Sequence, residues 1–265
     1  MTNNKPILFL DSGVGGLPYL DWVRKKLPGE VYHYCADSGN FPYGKRPDAE
    51  IKKIVISLLG KVIKKIDPKI VVVACNTATV VALGALRQTY ALPFVGVVPA
   101  VKPAAKISKE KRIGLFATNR TVAEAYTENL IKDFARDCTV FRYAEPELVE
   151  FVEKRFPFAS EAEKGNSIRG VVSFCQEYRV DTLILGCTHF VYLYPKLEAT
   201  LPGNIRIVDS LEGVGNQVLK LLKDQGYNGG KGGSFFFNTG GISSSLNHPA
   251  FAEKFQMNYE GNLLS

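Results

Sequence analysis

Two short stretches of this chain share one construction, and it constrains the fold more than any other feature. Ile70-Val71-Val72-Val73-Ala74-Cys75-Asn76-Thr77-Ala78-Thr79 and Thr182-Leu183-Ile184-Leu185-Gly186-Cys187-Thr188-His189 each run from β-branched or leucine-rich residues into a small residue, a cysteine and polar side chains. A run of that kind is the pattern of a strand buried on both faces of a parallel sheet. One cysteine therefore stands at the carboxyl end of each of two buried strands. Open α/β sheets bind ligands at that edge, because the loops leaving it carry backbone donors and helix N-termini. The expectation is that the two thiols face each other across one small-molecule site.

The rest of the chain repeats the alternation of strand and helix. Ile7 to Leu10 reads as a first strand, running into Asp11-Ser12-Gly13-Val14-Gly15-Gly16 and an apolar-periodic segment through Leu17, Leu20 and Val23. The spacing is not that of a dinucleotide-binding loop and no G-K-[ST] follows. The glycines allow a tight turn that presents Asp11 and Ser12, with a plain helix cap as the bland alternative. Val31 to Ala36 is a second strand, ending in Asp37-Ser38-Gly39-Asn40-Phe41-Pro42-Tyr43-Gly44, where the turn at Tyr43 serves either a crevice or only the surface. His33 and Cys35 lie inside this strand and read as structural.

A helix is expected over Asp48 to Lys65, another over Val80 to Tyr90, and a short strand around Leu92 to Pro99. The pattern restarts with a strand at Ile113 to Thr118, a helix from Val122 to Phe134, a strand at Val140 to Tyr143, a carboxylate-rich helix start at Glu145 to Glu153, and helix through Tyr178. Ile205 to Ser210 is a late strand before a helix around Val214 to Leu222. Gly229 to Gly233 reads as a flexible joint, Ser234 to Thr239 as an edge strand, and Pro249 to Phe255 as a short closing helix.

The expected architecture is α/β, with two similar lobes, each a mostly parallel sheet flanked by helices. The lobes are expected to be related by pseudo-two-fold symmetry, with the site in the cleft between them. Residues 1–98 plus 209–265 would form the first lobe and residues 99–208 the second.

Composition excludes several classes. At 265 residues and 46% hydrophobic the chain can bury a substantial core without staples. Its five cysteines are odd in number and widely spaced, without a C-x-x-C pair, so reduced thiols in a cytoplasmic protein are expected and no metal site. The N-terminal stretch has neither a basic region nor a long apolar segment, so export and membrane insertion are not expected. The net charge of +7 is spread along the chain rather than gathered in a stripe, which disfavours nucleic acid as a partner and leaves steering of a small anion.

A lone cysteine after a strand is ordinarily an inert core residue. Two of them, in equivalent places of a repeated unit and each followed by hydrogen-bonding residues, point instead to an acid and base pair. One thiolate removes a proton from one face of a carbon centre while a thiol returns one to the other, which inverts the centre.

Asp11-Ser12-Gly13-Val14-Gly15-Gly16, Ala36-Asp37 with Pro42-Tyr43-Gly44, Ala74-Cys75-Asn76-Thr77-Ala78 and Gly186-Cys187-Thr188-His189-Phe190 together resemble the motif set of the glutamate racemases, in order and approximate spacing. That resemblance implies racemisation of glutamate without a cofactor, supply of D-glutamate for peptidoglycan, and a homodimer. It implies that Cys75 deprotonates D-glutamate with Asp11 assisting, and Cys187 L-glutamate with His189 assisting. Substrate contacts would come from Asp11, Ser12, Tyr43, Gly44, Asn76, Thr77, Thr188 and His189.

Two departures from the family pattern stand out. Glu145-Pro146 replaces the usual Cys-Pro, and counting forward places the assisting glutamate at Glu153, with Glu147 and Glu150 as alternatives. Val191 replaces the proline usual after the second cysteine motif. The rival readings are an aspartate racemase of the same superfamily, a noncatalytic two-lobed amino-acid-binding protein, and a hydrolase using Asp11 as nucleophile.

Overall fold

Apolar runs in the first third of the chain become strands β1 (Ile7–Asp11), β2 (Val31–Ala36), β3 (Ile70–Val73) and β4 (Phe94–Gly96), separated by helices α1 (Leu17–Lys26), α2 (Asp48–Ile66) and α3 (Asn76–Thr89). There follow α4 (Val101–Ile107), β5 (Arg112–Ala117), α5 (Asn119–Ala123), α6 (Ala125–Phe134), β6 (Thr139–Ala144), α7 (Glu147–Lys154), α8 (Glu161–Ser167), α9 (Arg169–Glu177) and β7 (Thr182–Leu185). A 3-10 segment (Thr188–Leu193), α10 (Tyr194–Thr200) and β8 (Arg206–Val208) come next, and the chain closes with α11 (Leu211–Lys223), β9 (Gly233–Asn238), α12 (His248–Lys254) and β10 (Asn258–Asn262). The computed structural model describes residues 4–223, 232–240 and 247–264. The expected glycine joint falls, at 229–231, outside the described residues.

The chain divides into two units, Met1–Val97 with Leu211–Ser265, and Val98–Ser210. The first holds a six-stranded sheet in the order β10-β9-β2-β1-β3-β4, and the second a four-stranded sheet in the order β6-β5-β7-β8. All pairings are parallel. The fold is thus α/β with two parallel sheets flanked by helices. The first four strands of the first sheet, β2-β1-β3-β4, and the four of the second follow one topology: the second strand lies to one side of the first, the third and fourth to the other. In such a sheet the connections leave the first and third strands in opposite directions, which opens a crevice beyond their carboxyl ends.

Hydrophobic periodicity fixes most of these elements. On α2, Ile51, Val55, Leu58, Leu59 and Val62 form the buried stripe, with Asp48 and Glu50 in the first turn and Lys64 and Lys65 in the last, each charge favourable to the helix dipole. Strands β1, β3 and β7 are buried along their whole length, as two-faced burial demands.

The structure departs from expectation where polar residues decide. Helix α3 begins at Asn76, four residues before the apolar period starts, because Asn76, Thr77 and Thr79 are buried in its first turn. The Thr79 hydroxyl donates to Val73 O at 3.0 Å and accepts from Val97 N at 3.0 Å. The single helix expected from Val122 splits at Glu124, whose ψ of 137° breaks the spiral, and the Thr127 hydroxyl donates across the break to Thr121 O at 2.7 Å. The long helix expected through Tyr178 is three helices, and Ser160 with Glu163 forms a capping box that restarts the chain at α8. Helix α4 was not anticipated. Strand β9 is not an edge strand: it lies between β2 and β10, and β10, whose polar Asn258-Tyr259-Glu260-Gly261-Asn262 gives no apolar signal, takes the edge.

Candidate functional site

In the first unit, Asp11 ends β1 and Cys75 follows β3, the two strands between which the connections diverge. Ala74 N donates to Leu10 O at 2.7 Å, so the ladder continues to the residue before the cysteine. Gly16 permits this approach: a Cβ there would lie 2.5 Å from Ala74 Cβ. The Tyr34 hydroxyl locks the same turn, accepting from Gly16 N at 3.1 Å and donating to Gly13 O at 2.7 Å. Asp11 is fully buried, and one of its oxygens accepts from Ser12 N at 2.6 Å and from the Ser12 hydroxyl at 3.3 Å.

Cys75 occupies the position before the first turn of α3, with φ −136° and ψ 122°, and is 7% exposed. The positive end of the α3 dipole and the amides of its first turn therefore begin at this residue. Asn76 and Thr77 are buried beside it, and Asn76 Oδ1 finds no hydrogen-bond partner among the described residues. A buried acceptor of that kind is the exception in a folded protein and suits a group that meets a ligand. Tyr43 is buried in the same apolar cluster as Cys75 and Cys35. Its hydroxyl donates to Asp37 Oδ2 at 2.6 Å, and burial, then the Asp37 charge and hydrogen bond, then the nearby thiols hold its pKa well above the ordinary value. Tyr43 is therefore a neutral phenol at physiological pH. Gly44 is exposed in the turn that follows.

In the second unit, Cys187 follows β7, which pairs with β5 as β3 pairs with β1. Its φ of −133° and ψ of 137° and its 7% exposure match those of Cys75, and here the segment that begins after it is 3-10. Thr188 and His189 are buried in its first turn. His189 Nδ1 lies 3.9 Å from Cys187 Sγ, and His189 Nε2 lies 2.6 Å from Glu153 Oε1 on α7. Burial pulls the His189 pKa down, but its contacts with Cys187 and Glu153 outweigh that and hold it well above the ordinary value. The imidazolium form is thus favoured between the Cys187 sulfur and the buried Glu153 side chain. Glu147 is exposed, and Glu150 is ion-paired with Lys154 at 3.1 Å, so of the three glutamates it is Glu153 that touches the histidine.

The two cysteines thus share a backbone setting and differ in their surroundings: the Tyr43 phenol lies in the cluster of one, and an imidazole backed by a carboxylate stands beside the other. Burial raises the thiol pKa of Cys35 out of the physiological range and that of Cys175 to about 12, which leaves both inert. All five cysteines are free. No group of three or more His, Cys, Asp or Glu among the described residues is placed to hold a metal ion, and no helix among them is long and apolar enough to cross a membrane. Sequence reasoning gave no role to Asp37 or Tyr34, although the first follows a strand and the second points from one. It also passed over Thr118, at the end of β5, whose hydroxyl lies 3.2 Å from that of Thr121. A polar residue after a strand was the available signal in both the aspartate and the threonine.

Residues 19–214 match the family model described as Asp/Glu/Hydantoin racemase. A glutamate racemase of Glaesserella parasuis is 42% identical over 82% of this chain and 81% of its own length, and one of Shewanella denitrificans is 40% identical over 82% and 78%. Among solved structures, Escherichia coli glutamate racemase in complex with L-glutamate and the activator UDP-MurNAc-Ala superposes with a TM-score of 0.86, at 32% identity over 98% of both chains. Glutamate racemase RacE1 of Bacillus anthracis gives 0.80 at 29% identity over 97% of both. The chain belongs to the Asp/Glu/hydantoin racemase family.

Proposed function

We propose that this protein interconverts L- and D-glutamate by proton transfer through two cysteines, without an organic cofactor or a metal. Cys75 in its thiolate form takes the α-proton of D-glutamate, breaking the C–H bond and forming S–H. The Cys187 thiol gives its proton to the opposite face of the resulting carbanion, which leaves L-glutamate and a Cys187 thiolate. The reverse direction exchanges the roles. Asp11 assists proton movement at Cys75, and the His189–Glu153 pair stabilises the Cys187 thiolate. Asn76, Thr77, Thr188 and Ser12, with the backbone amides of the turns that carry them and those of Tyr43 and Gly44, hold the substrate's carboxylates. The substrate ammonium then keeps its charge and acidifies the α-carbon.

The observation that carries this reading is the matched placement of Cys75 and Cys187 beyond the third strand of two sheets of like topology, with His189 beside the second of them. The identities to curated glutamate racemases support glutamate over other substrates. On the same reading the protein is a cytoplasmic homodimer that supplies D-glutamate to peptidoglycan synthesis.

The test is incubation of the pure protein with L-glutamate, and separately with L-aspartate, in heavy water without pyridoxal phosphate. Loss of optical rotation with α-deuteration of glutamate supports the proposal. The same changes with aspartate alone would transfer it to that substrate, and tight binding without exchange would make the protein a binding module.

A further inference from the structure

The fully buried carboxylate of Asp37, one residue beyond β2, is held by three side chains. Asn40 Nδ2 reaches its two oxygens at 3.1 and 3.0 Å, and the Tyr43 hydroxyl donates to Oδ2 at 2.6 Å. Both belong to the loop that follows β2. The third donor is the hydroxyl of Thr239, which reaches Oδ1 from the end of β9, in the C-terminal part of the chain.

The Thr239 segment is itself fixed against that loop. Thr239 N donates to Ala36 O at 3.1 Å, and Gly240 N donates to the Ser38 hydroxyl at 3.1 Å. Gly240 sits so close to Gly39 that a Cβ on it would lie 2.9 Å from Gly39 N and 2.9 Å from Ser38 Oγ. Close backbone packing and two hydrogen bonds thus aim the threonine hydroxyl at Asp37 independently of the tyrosine.

A carboxylate has two oxygens in one rigid plane, so fixing Oδ1 fixes the direction in which Oδ2 receives the Tyr43 proton. With its proton committed, the Tyr43 oxygen is left as an acceptor in the cluster that contains Cys75. We infer that Thr239 is a positioning residue of the Cys75 half of the site: through Asp37 it sets Tyr43, the residue that the proposed function places against the substrate. The inference rests on that reading, and it makes the C-terminal β9 segment part of the substrate-holding apparatus.

Steady-state racemisation of glutamate by T239V, T239S and G240A tests it. T239V replaces the hydroxyl by a methyl of the same shape, and KM should rise about tenfold, the worth of one hydrogen bond to a charged group, with kcat held within about threefold. T239S restores the donor and should return KM to within about twofold of the wild type, a rescue that loss of packing alone would not give. G240A keeps the hydroxyl but pushes the segment that carries it away from Asp37, should raise KM in the same sense, and serves where T239V does not fold. An unchanged KM in T239V or G240A, or a raised KM that serine fails to restore, overturns the inference while the wild type remains active. A wild type inert toward glutamate removes the proposed function and this inference together.

Discussion

Cys75 and Cys187 begin from one backbone setting and diverge in what stands beside them. Single replacement of either by alanine removes a group that the proposed function has exchanging a proton with carbon, and racemisation should then fall by at least about a thousandfold in both variants. Because the two enantiomers have equal free energy, kcat/KM must fall equally in the two directions. The contact between His189 and Glu153 separates the glutamates of α7: Glu153→Gln should lower kcat/KM by about ten- to a hundredfold, and Glu150→Gln, which weakens a solvent-facing pair with Lys154, should leave it within about twofold.

The same histidine gives a pH signature. Its folded pKa lies above the ordinary value, so the stability that its charge contributes is full below about pH 6.5 and is lost as pH rises through the folded value. Denaturant midpoints of wild type and His189→Asn should therefore differ most near pH 6 and converge as pH rises through the folded value. A pH-independent difference would contradict the assigned coupling. His33, pushed down to about 4 by burial, acts in the opposite sense and destabilises the fold as pH falls from about 6.5 toward 4.

At the scale of elements, the first sheet is secured at both of its ends. Beyond the carboxyl end of β1, Tyr34→Phe keeps the ring packed on Phe236 but leaves Gly13 O and Gly16 N without their bridge, and should cost about 1–3 kcal/mol while loosening the turn behind Asp11. Near the amino ends of β2 and β3, Lys69 and Glu30 form an ion pair with both side chains almost wholly buried. Lys69→Met strands the carboxylate and should cost about 3–5 kcal/mol in urea unfolding, whereas Lys69→Met with Glu30→Leu should recover most of that loss.

Element by element, the sequence announces what apolar side chains decide and conceals what polar ones decide. The valines of β3 and the stripe of α2 were legible because burial leaves a period. The first turn of α3 was not, since Asn76 and Thr77 look like loop residues until their burial is seen. Strand β10 was hidden because an edge strand needs backbone pairing on one side only, and its Asn, Glu and Gly side chains carry no pattern. Its concealment also made β9 look like an edge.

At the scale of the whole molecule, the strand order shared by the two sheets gives each cysteine the same place in its own sheet. Their placement was legible because a buried strand followed by a polar turn marks a carboxyl end. Glu153 was legible only as one of three candidates, because a carboxylate in a helix buried against a histidine defies the usual solvated reading. Asp37 and Thr239 could not be connected at all from sequence, since their contact depends on β9 lying beside β2. The central claim is that two different groups serve the two faces of one stereocentre, and the isotope content of each enantiomer at early conversion tests it most directly. When L-glutamate reacts in heavy water, the account predicts D-glutamate bearing α-deuterium while the remaining L-glutamate keeps its protium. Substantial return of protium to the D-glutamate product, or early deuteration of unreacted L-glutamate at a rate matching racemisation, would mean that a single base serves both faces.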